Sequence, residues 1–218
     1  MHVAIAGGHG QIALRLTALL AGRADRVTSI IRNPAHRADV EHAGGAPVVL
    51  DLETTTVDDL ASVLREADAV VFAAGAGPGS GAARKDTVDR AAAVLFAAAA
   101  HAAGVRRYLL ISSTGVDDPP RPGTDEVWAA YLTAKKAAEE AIRHSGLEWT
   151  ILRPGRLTDQ PGTGRVLLAP PPVERADVTR DDTAAVLLAL LDTPGTAGRV
   201  LELRTGDTAI HDAVSANG

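Results

Sequence analysis

Tyr131 and Lys135 stand four residues apart in VWAAYLTAKKAAEEA, residues 127–141. The run is rich in Ala, Lys and Glu, which are strong helix formers. Side chains four apart share one face of a helix, about 5–6 Å apart at Cβ. The pair is therefore either a catalytic couple or two ordinary surface side chains. The spacing is common enough by chance that other residues must decide.

A second chemical signal lies near the start of the chain. In IAGGHGQIA, residues 5–13, Gly7, Gly10 and Ala13 form a G-x-x-G-x-x-A pattern between an apolar strand and a helix. Glycine accepts the unusual backbone angles of a tight turn, and its missing Cβ lets backbone approach a pyrophosphate. The helix start then offers free N–H groups and a partial positive charge to the anion. A small Ala13 lets the helix pack closely on the strand. We expect Gly7, Gly8, His9, Gly10, Gln11 and Ile12 to cradle a dinucleotide; the alternative is a bare strand-to-helix turn. His9 is either a phosphate contact or a tolerated surface residue. No Lys-Ser or Lys-Thr follows the glycines, which argues against an NTPase loop.

The end of the second strand selects the cofactor. NAD sites usually carry Asp or Glu there to hold the ribose 2′-hydroxyl. This chain reads IIRNP, with Arg32 in that place and Asn33 beside it. An acid would repel a 2′-phosphate, whereas arginine can bind it through two hydrogen bonds. The expected cofactor is NADP(H), with Arg37 available to assist. Asp51 and Leu52, at the end of the third strand, are placed to contact the adenine. Ala73, Ala74, Gly75 and Ala76 are small enough to let the cofactor backbone pass.

These residues need a scaffold of alternating strands and helices. Strands are expected over 2–6, 26–32, 47–52, 68–75, 105–113, 147–155, 164–169 and 199–206, and helices over 10–23, 33–45, 54–67, 86–104, 127–141 and 179–192. Asn-Pro at 33–34 and Gly-Gly at 44–45 bracket the second helix. This alternation implies parallel pairing with crossover helices. The expected fold is α/β: a Rossmann-type doubly wound parallel sheet with helices on both faces. Residues 1–218 read as one domain, and those from about 155 onward supply less regular substrate-side pieces that could form a small lid. The loops at 75–81 and 117–125 read as active-site rims.

Composition excludes several classes. The net charge of −5 disfavours nucleic acid as a partner. With no cysteine, disulfides and thiol catalysis are ruled out. No apolar run approaches the roughly 20 residues of a membrane helix, and MHVAIAGG reads as a strand and turn rather than a secretory leader. The expectation is a cytoplasmic protein with a small-molecule substrate, as monomer or homodimer. The seven histidines form no His-x-x-x-His pair, and no metal is expected.

Taken in order, GGHGQIA, IRNP, DL at 51–52, AAGAG at 73–77, LLISSTG at 109–115, YLTAK at 131–135 and TILRPGRLTD at 150–159 resemble the short-chain dehydrogenase/reductase superfamily. The similarity is to its atypical NAD(P)-binding branch, with NmrA-like proteins, biliverdin reductase B-like flavin reductases and small epimerase-like proteins, and it spans essentially the whole chain. It implies that Tyr131 exchanges a proton with a substrate oxygen, and that Lys135 holds the nicotinamide ribose and favours the phenolate. Ser113 would hydrogen-bond the substrate carbonyl, with Thr114 as the alternative. Arg153, Pro154 and Gly155 would lie near the nicotinamide, with Leu157 lining the same region and Ser112 as a further cofactor contact. The interval from Ser113 to Tyr131 departs from the commonest spacing, and some members of the branch work without the tyrosine.

Other acidic and aromatic residues have simpler readings. TRDDT at 179–183 reads as helix capping, and Asp86 and Asp89 as N-terminal charges on their helix. Trp149 reads as packing; Trp128, one turn before Tyr131, is either packing or a pocket wall. Three functions compete: an NADPH-dependent oxidoreductase, an NADP(H)-binding sensor without turnover, and a nucleotide-sugar epimerase or dehydratase holding NAD.

Overall fold

A computed structural model of the chain describes residues 1–77, 79–118 and 123–218. The loop readings over 75–81 and 117–125 fall partly on Pro78 and residues 119–122, outside the described residues. The strands are β1 (His2–Ala6), β2 (Arg26–Ile31), β3 (Ala46–Val49), β4 (Ala69–Phe72), β5 (Arg107–Ile111), β6 (Glu148–Pro154), β7 (Arg156–Thr158), β8 (Arg165–Ala169), β9 (Asp177–Thr179), β10 (Arg199–Thr205) and β11 (Thr208–Ala209). The helices are α1 (Gln11–Gly22), α2 (Arg37–His42), α3 (Val57–Leu64), α4 (Ala82–Arg84), α5 (Ala92–Ala102), α6 (Glu126–Arg143), α7 (Arg180–Leu191) and α8 (Ile210–Ser215).

Among the described residues, nine strands form one sheet in the order β11-β8-β10-β6-β5-β4-β1-β2-β3. From β3 to β10 every neighbouring pair is parallel. The strand order reverses at β1, which lies between β2 and β4. A crevice opens at such a reversal, beyond the carboxyl ends of the strands. β1 carries the glycine loop to that point.

Alternation along the strands builds two cores. Val3 and Ile5 of β1 face one core with Leu16 and Leu20 of α1 and Leu187 of α7. Ala4 and Ala6 face the other, with Leu60 of α3, Phe96 of α5 and Ala138 of α6. All residues of β4 and β5 are buried, as expected of strands covered on both faces. Each fully buried leucine contributes roughly 1.5–3 kcal/mol.

Several elements differ from the sequence reading. Residues 33–45 hold a 3-10 turn, Pro34–His36, before α2; Asn33 caps it by accepting from Ala35 N at 3.0 Å. The helix expected over 86–104 is α4, a π-helical stretch Lys85–Ala91, and α5. Of the elements after residue 155, β8, β10 and β11 extend the sheet, and α7 and α8 pack on it. β8 and β11 join it antiparallel, and only β7 and β9 form a separate parallel ribbon. TRDDT does more than cap α7. Thr179 accepts from Asp182 N at 2.9 Å, while Asp182 accepts from Gly164 N at 2.8 Å and Asp181 from Gly162 N at 3.1 Å. The two acids thereby fix the turn that leads into β8.

Candidate functional site

The glycine loop is shaped by close approach. Gly7 has φ +77°, and a Cβ there would lie 2.6 Å from Ala74 Cα. Gly8 packs as tightly on the second strand: its Cβ would lie 2.5 Å from Ser29 Cβ, and its N–H donates to Ile30 O at 2.9 Å. Gly10 is the N-cap of α1 and supplies no side-chain cap. The first amides of α1 are thereby left to an anion.

This loop floors a cleft of 360 Å³. Gly7, His9, Gly10, Arg32, Asn33, Asp51, Leu52 and Ala73 to Ala76 all line it. His9 stacks on His36 at 3.5 Å and meets Asp39 at 2.8 Å. Gly8 and Gln11 line none of the three cavities described here. Gly8 acts through packing, and the Gln11 amide oxygen accepts from Arg15 at 3.2 Å. Arg37, expected to assist Arg32, lies outside the cleft and donates to Pro47 O at 3.4 Å.

Two charged cleft residues, Glu53 and Arg84, escaped the sequence reading. Arg32 and Arg84 both reach Glu53 Oε2, at 3.2 and 2.7 Å, and the Thr87 hydroxyl donates to Glu53 Oε1 at 2.7 Å. The Thr87 hydrogen bond, then Arg84 and Arg32, hold the Glu53 carboxyl below its ordinary range against the opposing effect of burial. Two guanidinium groups therefore converge on one point. No local pattern marks Arg84, which comes from a different helix far along the chain.

Ala73 to Ala76 also line a second cavity of 550 Å³, together with Ile12, Ser112, Tyr131, Lys135, Pro154 and Leu157. Asp125 caps α6 by accepting from Trp128 N at 2.9 Å, which fixes the helix that carries Tyr131 and Lys135. Lys135 is buried. Its ammonium donates to Ile111 O at 3.0 Å and lies 3.3 Å from Asp89 Oδ1. Asp89 Oδ2 accepts from Ala76 N at 3.2 Å. Asp89 is thus a buried counter-ion rather than a helix-start charge, whereas Asp86 pairs with Arg90 at the surface. Lys85 donates to Gly77 O at 2.9 Å. The ammoniums of Lys85 and Lys135 lie 5.4 and 5.8 Å from the Tyr131 ring centroid. The signal for Lys85 and Asp89 was their four-residue spacing at the head of an Ala-rich helix, obscured by the π-helical turn.

A third cavity of 560 Å³ joins the second at Ser112, Trp128, Tyr131, Pro154 and Leu157, and adds Ser113, Thr114 and Gly155. Trp128 stacks on Tyr131 at 5.1 Å and walls both cavities. Ser113, expected to hold a substrate carbonyl, donates to Thr114 O at 3.1 Å. Ser112 Oγ is buried with no hydrogen-bond partner among the described residues. Arg153 lines no described cavity. It is buried beneath the site, bonded to Glu139 at 2.6 and 2.8 Å and to Asp117 at 2.6 Å. Burial opposes the Arg153 charge, and these carboxylates more than offset it, holding its pKa above the ordinary value.

The described residues contain no group of three or more His, Cys, Asp or Glu able to hold a metal ion. None of their helices is long and apolar enough to cross a membrane.

The sequence profile of a family described as NAD(P)H-binding matches residues 7–194. A Bacillus subtilis protein described as an uncharacterized sugar epimerase is 34% identical, over 98% of this chain and 99% of its own. Among solved structures, a Bacillus halodurans protein provisionally described as an NAD-dependent epimerase/dehydratase superposes with a TM-score of 0.90 at 32% identity, covering 99% of both chains. A Lactococcus lactis oxidoreductase gives 0.86 at 26% identity, covering 99% of this chain and 96% of its own.

Proposed function

Given that the chain belongs to the NAD(P)H-binding family, we propose that it is an NADPH-dependent oxidoreductase that reduces a small carbonyl, quinone or flavin-like molecule. The observation that carries this reading is the continuity of the glycine-loop cleft with the Tyr131 cavity through Ala73 to Ala76. A dinucleotide laid along that path would bring its two ends to the two kinds of chemistry it needs. The chain's residues fit one: α1 starts without a side-chain cap, and the buried Ser112 hydroxyl has no described partner. Arg32 and Arg84 favour a 2′-phosphate at the far end of the cleft.

When bound, the cofactor supplies the hydride. The remaining work falls to this chain's side chains. Tyr131 gives its phenolic proton to the substrate oxygen as the carbonyl carbon is reduced, so that a carbonyl becomes an alcohol. Ser112, rather than the already engaged Ser113, hydrogen-bonds that oxygen. Lys135 gives one of its three ammonium hydrogens to Ile111 O and is charge-paired with Asp89 at 3.3 Å, leaving hydrogens for a ribose hydroxyl. NADPH consumption with quinones, flavins and simple aldehydes tests the proposal. Tyr131→Phe should slow turnover at least about a hundredfold; full activity on every substrate would remove the tyrosine from the chemistry.

Two other readings have specific support. The internal anchoring of Lys135 favours a protein that binds NADP(H) without turnover, in which the lysine is mainly a structural clamp. Such a sensor would bind NADP⁺ and NADPH with different affinity and would not oxidise NADPH with any substrate of the panel. The descriptions of the two Bacillus relatives favour epimerisation. In that case NAD would co-purify with the protein, and NADPH would not displace it.

A further inference from the structure

We propose that the third cavity is an anion site, and that the substrate carries a carboxylate or phosphate beside its reducible group. This rests on the oxidoreductase reading for the reaction, but the site itself is argued from the cavity walls. Three arginines from three different elements line it: Arg156 of β7, Arg175 of the segment before β9, and Arg180 at the start of α7. Among the described lining residues, Asp177 is the only carboxylate against them. Each arginine has a carboxylate partner, but two of these, Asp118 and Asp159, lie outside the cavity wall. The cavity shares Ser112 and Tyr131 with the reaction chamber. A ligand spanning the two could present its reducible group to Tyr131 and its anion to the arginines.

The segment that carries Arg175 is held in place by the fold. Val173 N–H donates to Glu202 Oε2 at 2.7 Å, and Glu202 lies 3.7 Å from the buried Arg153. A Cβ on Gly155 would come within 1.9 Å of Ala176 O, so only glycine lets this segment lie against the end of β6. Gly115, at φ +85°, clears the space for the Arg175 guanidinium, whose Nη2 would be 2.2 Å from a Cβ there. Gly155 and one buried ion network therefore fix the segment that carries Arg175.

Asp177 holds Arg156 through two hydrogen bonds, whereas Arg175 and Arg180 are each paired through a single contact. Arg175 meets Asp118, Arg180 lies 2.9 Å from Asp159, and Arg156 lies 2.5 Å from Asp177. These carboxylates are about half or more exposed. The single-contact pairs of Arg175 and Arg180 contribute little, so an entering anion replaces them at small cost. Each guanidinium has five donors, and its planar fork matches carboxylate and phosphate oxygens.

The test uses three probes: para-formylbenzoate, para-formylphenyl phosphate and the neutral methyl para-formylbenzoate. Binding to the full chain is read from Trp128 fluorescence in a Trp149→Phe background. The two anionic probes should bind about tenfold or more tighter than the ester. Arg175→Gln with Arg180→Gln should equalise all three, and Arg175→Lys should keep part of the preference. The carboxylate and phosphate arms identify the headgroup. Equal affinities, a lack of saturable binding, or a preference that survives the double variant would overturn the site. NADPH binding is measured separately on the same protein. Its absence alongside an intact anion preference would sink the oxidoreductase reading and leave the anion site standing.

Discussion

The Asp89 carboxylate lies 3.3 Å from the Lys135 ammonium, and both side chains are almost wholly buried. Asp89 also accepts from Ala76 N at 3.2 Å. One carboxylate thus ties the helix of the candidate catalytic pair to the loop that links the two main cavities.

Removing one charge of this pair should be costly. Asp89→Asn keeps the shape and an acceptor for Ala76 N–H but leaves a buried ammonium without its counter-ion. We expect a loss of about 3 kcal/mol in urea unfolding. The double variant Asp89→Asn/Lys135→Met should recover part of it, because no unpaired charge remains. A single-variant loss below about 1 kcal/mol would mean that the pair is effectively solvated.

Cofactor choice should turn on Arg32, Arg84 and Glu53. Arg32→Ala should weaken NADPH about tenfold while leaving NADH nearly unchanged. Glu53→Gln removes the carboxylate that occupies both guanidiniums, and should tighten NADPH several-fold. Fluorescence titration with both cofactors reads the outcome. Equal weakening of NADH and NADPH by Arg32→Ala would contradict a 2′-phosphate at this end of the cleft.

Gly155 should tolerate no side chain. A Cβ there would meet Ala176 O at 1.9 Å, and the obstacle is backbone, which cannot rotate away. Gly155→Ala should cost about 2 kcal/mol or more and loosen the wall that carries Arg175. A thermal melt indistinguishable from the wild type would show that the 176 segment can shift freely.

Acid should weaken the fold from the carboxylate range downward. Hydrogen bonds from Thr87, Arg153 and Arg15 are the leading causes that hold Glu53, Asp117 and Asp181 below their ordinary values of 4.5, 3.8 and 3.8. The unfolded chain then binds more protons than the native one as pH falls below these values, so stability drops. The urea midpoint should be flat from neutral pH to about pH 5 and decline below about pH 4. A midpoint unchanged at about pH 3 would mean that these contacts do not persist in solution.

Much of this protein was legible in its residues. Alternating apolar runs and turn residues determined the order of strands and helices, because side-chain periodicity is local. The glycine loop, Arg32 and the Tyr131–Lys135 helix could be located for the same reason: each rests on neighbours within a few positions. What only the tertiary structure decided were the contacts between distant segments. Arg84 meets Arg32 at Glu53, Asp89 neutralises Lys135, the hydroxyl left without a described partner belongs to Ser112 rather than Ser113, and Arg156, Arg175 and Arg180 gather at one wall. β8, expected as a strand among the substrate-side pieces, turns antiparallel and extends the sheet. No local pattern encodes these relations, because a side chain's charge partner and exposure are set by which segments the sheet brings side by side.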